Sequence, residues 1–342
     1  MTRLPTRSWR TSRLVAALAA LVLAGVACSG SDEPAGPAEA SEEAVELIVS
    51  VASFDLAVGD GQRLMAGVLA QDRSLLAFGN VTFQLGYLGD QAVGQTTLSQ
   101  SANASFRPVP GMVPEGASSQ PTLLSEASGA GVYIAHVDLD EPGFWGLRVV
   151  AELADGREVE GQTTFAVSPE PQIVTVGAEA PRTMNPTIED VEAGTIEAVA
   201  LDSRAQGDEP VIDDQHLHST VIADSIDEGR PLVVVVSTPV YCMSRFCGPL
   251  TETIASTATQ YSDRADFVHL EVWENFDEQH LNAAAAEWIQ TEDGGNEPWV
   301  FLVDEDGRIA ARWDNVLDLT ALEKELDAMP AIARSDALEE DE

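Results

Sequence analysis

Apolar residues change spacing along this chain, and each spacing predicts a different element. Residues 14–27 are an unbroken small or apolar run. Between residues 44 and 170 the apolar runs have strand length and period two. Val81, Phe83, Leu85 and Tyr87 alternate with Thr82, Gln84 and Gly86, and Trp145, Leu147, Val149, Ala151 and Leu153 share one face. Further runs at 47–52, 64–70, 132–137 and 163–167 make six, and with Gly-Asp and Asp-Gly turns between them the stretch reads as about seven strands. Residues 106–131, carrying Pro108, Pro110, Pro114 and Pro121, read as one long loop. Beyond residue 195 the pattern changes again. Residues 232–236 are continuously apolar, as a strand buried on both faces requires. Helices are predicted at 219–227, 249–261, 278–289 and 319–329, and strands at 267–272, 299–303 and 308–313.

These patterns predict two domains, which a length of 342 residues accommodates. Residues 44–170 are expected to form an all-β immunoglobulin-like sandwich. Residues 178–330 are expected to form an α/β layer, with parallel strands and crossover helices ending in an antiparallel hairpin and a helix. Residues 171–195, with Pro171, Pro181 and Pro186, read as a linker making few interior contacts. Residues 331–342 read as an acidic disordered tail.

Charge narrows the range of partners. Eighteen Lys and Arg against 57 Asp and Glu give a formal charge of −39, and Lys324 is the single lysine. Phosphate neutralisation needs clustered cations, so a nucleic-acid partner is excluded. So is docking on anionic lipid through a basic patch. Hydrophobic residues make up 44% of the chain, enough for a buried core despite the acidity.

The apolar run at 14–27 follows Arg3, Arg7, Arg10 and Arg13. Its 14 residues fit the core of a secretory signal and fall short of the roughly 20 needed to span a membrane. It ends Leu23-Ala24-Gly25-Val26-Ala27-Cys28, which resembles a bacterial lipobox. That resemblance implies removal of residues 1–27, lipid attachment at Cys28, and anchoring on the extracytoplasmic face of the cell membrane. Residues 28–43, rich in Ser, Gly, Pro, Ala and Glu, would be a flexible tether.

If lipid takes Cys28, only Cys242 and Cys247 remain, and outside the cytoplasm such a pair can oxidise and persist. The segment Ser237-Thr238-Pro239-Val240-Tyr241-Cys242-Met243-Ser244-Arg245-Phe246-Cys247-Gly248-Pro249 follows the central strand, and Glu297-Pro298-Trp299-Val300-Phe301-Leu302-Val303-Asp304 lies downstream. Together they resemble the thioredoxin-like superfamily, near its redoxin and TlpA-like members. The resemblance covers about half the chain. It implies a thioredoxin-like fold over 178–330, thiol–disulfide exchange through Cys242 and Cys247, and a cis Pro298 packed against them. Four residues separate these cysteines where thioredoxins have two, so the attacking cysteine is not carried over. In a regular helix, residues five apart stand too far round and along the axis to pair. The stretch 242–247 is therefore expected to be a loop, with Pro249 at the first helical position. Cys242 is expected to be exposed and to attack, and Cys247 to resolve. Arg245, the only basic residue between Pro231 and Asp263, is expected to favour the thiolate. It stands in a region, 178–330, with 32 acidic and 8 basic residues.

Other chemistries fit less well. A peroxidase would need Thr three residues before its attacking cysteine, where Pro239 stands. Cu(I) handling through the cysteines with Met243 has no suitable downstream His, and a non-catalytic binding module with a structural disulfide remains the other alternative. His136 lies alone in a predicted strand. His216 and His218 would need two more ligands for a Zn2+ site, and none is clustered with them in sequence. No cofactor is expected. The expected partners are protein thiols or disulfides outside the cytoplasm. Within the first domain, Pro142-Gly143-Phe144-Trp145-Gly146-Leu147 resembles small bacterial extracytoplasmic sandwich domains, which implies a spacer or docking role.

Overall fold

A computed structural model describes residues 46–94, 97–110, 118–125, 130–207, 209–242, 246–291 and 294–332. The lipobox and Cys28, the tether, and almost all of the acidic tail lie outside them. The described residues all belong to one structural unit.

Its N-terminal part is one large antiparallel sheet. The strands are β1 (Leu47–Val51), β2 (Gly59–Ala70), β3 (Leu75–Ala77), β4 (Asn80–Gly89), β5 (Gln100–Pro108), β6 (Thr122–Leu124), β7 (Gly131–Leu139), β8 (Gly143–Glu152) and β9 (Glu158–Val167). Their order is β6-β3-β2-β7-β5-β4-β8-β9, with β1 on β2. The sheet curls until β1 also meets β9, through a parallel bridge between Glu46 and Glu160. Gly161 permits that approach, because a Cβ there would overlap the Leu47 carbonyl. Period-two residues then face inward: Phe83, Leu85, Tyr133, Leu147 and Val149 are at most 1% exposed. Two buried polar tips find carbonyls, Trp145 Nε1 donating to Glu141 and the Tyr133 hydroxyl to Phe78. Residues 106–131 are not wholly loop, since β6 pairs with β3 inside that stretch.

The C-terminal part has a mixed sheet. Helices α1 (Ile188–Glu192), α2 (Ala198–Leu201) and α3 (Ile222–Asp227) precede β10 (Leu232–Ser237). Then come α4 (Cys247–Tyr261), β11 (Asp266–Glu271), a small hairpin β12 (Trp273–Asn275) and β13 (His280–Leu281), α5 (Ala283–Ile289), β14 (Trp299–Val303), β15 (Ile309–Asp314) and α6 (Leu319–Ala328). The order is β11-β10-β14-β15, with β10 parallel to β11 and antiparallel to β14. Every residue of β10 is buried because both faces are covered. Val234 and Val236 meet Ile222, Ile226 and Trp288 of α3 and α5, while Val233 and Val235 meet Leu250, Ile254 and Leu322 of α4 and α6.

Three expectations need correction. Helix α5 starts at Ala283, not 278, because Asn282 caps it by accepting from Ala284 N at 3.0 Å and the preceding residues pair as a hairpin. Helix α4 starts at Cys247, two residues before Pro249; proline is tolerated there because first-turn N–H groups have no intrahelical acceptor. The stretch 171–195 is not a loosely held linker. Gly177 N donates to Ile309 O, Ile309 N to Ala178 O and Ala180 N to Gly307 O, at 2.8–2.9 Å, so it lines the edge of β15. Ile173, Thr183 and Asn185 are buried, and Thr187 opens α1 with a capping box to Asp190.

The two sheets are also bonded to each other. Arg63 of β2 pairs with Asp314 at 3.0 Å, and Arg312 pairs with Asp55 at 2.8 Å. Phe54 N donates to the second Asp314 oxygen at 2.7 Å. Next to it, Asn315 adopts a left-handed φ of 57°, which asparagine tolerates. Its N–H donates to Pro298 O at 2.8 Å and its amide to Ala52 O at 3.0 Å.

Candidate functional site

The apolar strand β10 ends at Ser237, and residues 239–241 turn just before Cys242. Cys242 N donates to Thr238 O at 3.2 Å, and Val240 N to the Ser203 hydroxyl at 3.2 Å. Inside α4, Thr251 bonds the Cys247 carbonyl and the Ser237 hydroxyl, at 2.9 and 2.7 Å, fixing the helix start against the strand end. Cys242 and Cys247 stand at a Cα separation of 6.0 Å, joined as a disulfide. Cys247 is fully buried, whereas Cys242 is partly exposed. An incoming thiolate can therefore reach only the Cys242 side. Cys247, at the first helical position, sits where free N–H groups and the helix dipole stabilise a thiolate.

Glu297 closes the third side. Its carboxylate and the two sulfurs all lie within 4.8 Å of one another. Burial pushes its carboxyl above the ordinary value. The bond from Glu297 to Pro298 is cis. Beside the loop, Tyr241 stacks on Phe276 with centroids 4.1 Å apart, Trp273 meets Phe276 edge-on, and Val240 is 48% exposed. Arg245, Met243 and Ser244 lie outside the described residues.

A second polar cluster lies buried at the edge of the mixed sheet. Glu271, at the end of β11, accepts from Ser203 N at 2.9 Å, and burial pushes its carboxyl up to about 7. Asp202, His218 and His269, at most 2% exposed, bring one ligand atom each to within 4.8 Å of the others. Asp202 is gripped by Arg204, whose Nη1 also pairs with Asp214 at 2.9 Å. His216, by contrast, turns away and contacts Ala255 O.

The cysteine pair and Pro298 were visible in the sequence; Glu297, Glu271 and the Asp202–His218–His269 cluster were not. Their one signal is polarity out of place: His269 and Glu271 interrupt an otherwise apolar strand, and Glu297 directly precedes the proline. No known protein-family model matches the chain, and no curated protein matches it in sequence.

Proposed function

We propose that this chain is a lipid-anchored, extracytoplasmic protein that exchanges thiols and disulfides with other proteins through Cys242 and Cys247. The observation that carries this reading is the pairing of one accessible and one fully buried cysteine at the start of α4. A thioredoxin-like fold for the C-terminal part is supported by β10 crossing through α4 into parallel β11, followed by antiparallel β14 and β15. An immunoglobulin-like sandwich is supported by the order β1-β2-β7-β5-β4-β8-β9 and the parallel contact of β1 with β9. The proposed anchor is Cys28; among the described residues no helix is long and apolar enough to cross a membrane.

In the exchange a partner thiolate attacks Cys242 Sγ in line with the disulfide. The Cys242–Cys247 bond breaks, a mixed disulfide forms at Cys242, and Cys247 leaves as a thiolate stabilised by the helix start. A second thiol of the partner then attacks its own sulfur in the mixed disulfide. This releases the partner as a disulfide and this protein as a dithiol; the reverse sequence reduces a partner. Pro298 is assigned to the cleft wall beside the cysteines, and Arg245 to stabilising the thiolate. The test is equilibration with glutathione and with a peptide disulfide. A measurable exchange rate and a potential above about −300 mV support the reading; a lower potential with no exchange marks a purely structural bond and overturns it.

A further inference from the structure

We propose that Asp202, His218 and His269 form a buried binding site for a divalent transition-metal ion of the Zn2+ class, separate from the cysteine pair. The three residues come from distant points in the chain: Asp202 follows α2, His218 follows the 3₁₀ turn Gln215–Leu217, and His269 is central in β11. Folding brings their ligand atoms to within 4.8 Å of one another.

The hydrogen bonding of His269 suits a metal ligand. His269 Nε2 stands 3.1 Å from Ser237 O. A carbonyl only accepts, so Nε2 carries the proton and Nδ1 of the neutral ring carries a lone pair. That Nδ1 has no hydrogen-bond partner, although it is buried. Nδ1 of His218 has none either, and its Nε2 makes only a long contact with Asp202 Oδ2 at 3.4 Å. Buried polar atoms are nearly always satisfied, so the unpartnered Nδ1 of His269, set beside His218 and Asp202, calls for a missing partner. A histidine fixed by donating its far N–H to a backbone carbonyl is the usual support for a metal ligand.

The carboxylate is compatible with this role. Arg204 grips both oxygens: its Nε–H is shared between them at 3.0 and 3.1 Å, its Nη2 donates to Oδ2 at 2.6 Å and its backbone N to Oδ1 at 2.9 Å. A carboxylate offers about four lone-pair positions, so with these three donors one remains for an ion. Asp202, Arg204 and Asp214 together carry one net negative charge, which a divalent cation reverses without leaving a large excess. Two imidazoles and a carboxylate are borderline donors, suited to Zn2+ with a water completing four-coordination. The ion would tie the 198–218 segment to the sheet edge, directly under the loop that Ser203 bonds at Val240.

The experiment uses the whole chain, stripped with chelator and titrated with Co2+ and then Zn2+. One equivalent should bind, with visible Co2+ absorption bands. His218→Ala and His269→Ala should each weaken Zn2+ binding more than tenfold, and the Cys242→Ser/Cys247→Ser variant should bind as the parent does. X-ray absorption of the Zn2+-loaded parent needs no variant to fold. It should show nitrogen and oxygen neighbours at about 2.0–2.1 Å and no sulfur at about 2.3 Å. No uptake, a sulfur shell, or uptake unchanged in both histidine variants overturns the proposal.

Discussion

Replacing Glu297 by Gln tests whether the carboxylate beside the cysteines sets their redox poise. Glu297 lies no more than 4.8 Å from either sulfur. When the disulfide opens, a thiolate forms next to that carboxylate, and the two charges repel. At an effective dielectric of about 20 and this distance the repulsion is about 3.5 kcal/mol. Glu297 keeps some access to solvent, which lowers the figure to roughly 2 kcal/mol. Glu297→Gln removes the charge while keeping the shape. The reduced form then gains that free energy, so the reduction potential should rise by about 40 mV and the thiol pKa should fall by about 1.5 units. The pH dependence has a definite sign. Burial raises the Glu297 pKa, so the repulsion exists above that raised value and disappears as pH falls through it. Parent and variant should therefore differ at pH 8 and converge in acid. The assay is glutathione equilibration at several pH values, with thiol titration of each reduced protein. A shift below about 10 mV at pH 8, or a fall in potential, refutes the argument.

Three further outcomes are expected. Cys247→Ser should trap partners as mixed disulfides at Cys242, whereas Cys242→Ser should trap few because Cys247 is fully buried; gel shift under non-reducing conditions reads this. Asp314→Ala should cost about 3 kcal/mol in urea unfolding, since it leaves the largely buried Arg63 with carbonyl partners but no counter-charge and Phe54 N without its acceptor, and the Arg63→Met/Asp314→Leu pair should cost much less. Gly161→Ala should force β1 away from β9 and lower the melting temperature by several degrees, with faster hydrogen exchange at β1 amides.

What the sequence revealed depended on how local the cause was. Strand β10 was legible because five consecutive apolar residues can only serve two covered faces, and β4 and β8 because alternation reports one. That the two paired cysteines do not share one helix was legible because a spacing of five residues is incompatible with pairing in regular helix. Helix α5 was overextended because 278–282 have acceptable helix propensity, and Asn282 ends that possibility only by capping. The prolines of 171–195 read as loop, yet the residues between them bond the edge of β15, an interaction set by the sheet's position. The Asp202–His218–His269 cluster was hidden for the same reason. Two of its members stand far from the third in sequence, and nothing local marks the strand position of His269 as facing them.

The turn at Asp314–Val316 has one further consequence. Asn315 holds the Pro298 carbonyl with its backbone and the Ala52 carbonyl with its side chain, while Arg63 and Phe54 hold its neighbour Asp314. The β-rich part therefore acts as a buttress for one wall of the cysteine cleft. A truncated chain lacking residues 46–170 would keep both cysteines but lose the masonry behind Pro298, and the redox behaviour of its cysteine pair would not stand in for that of the whole protein.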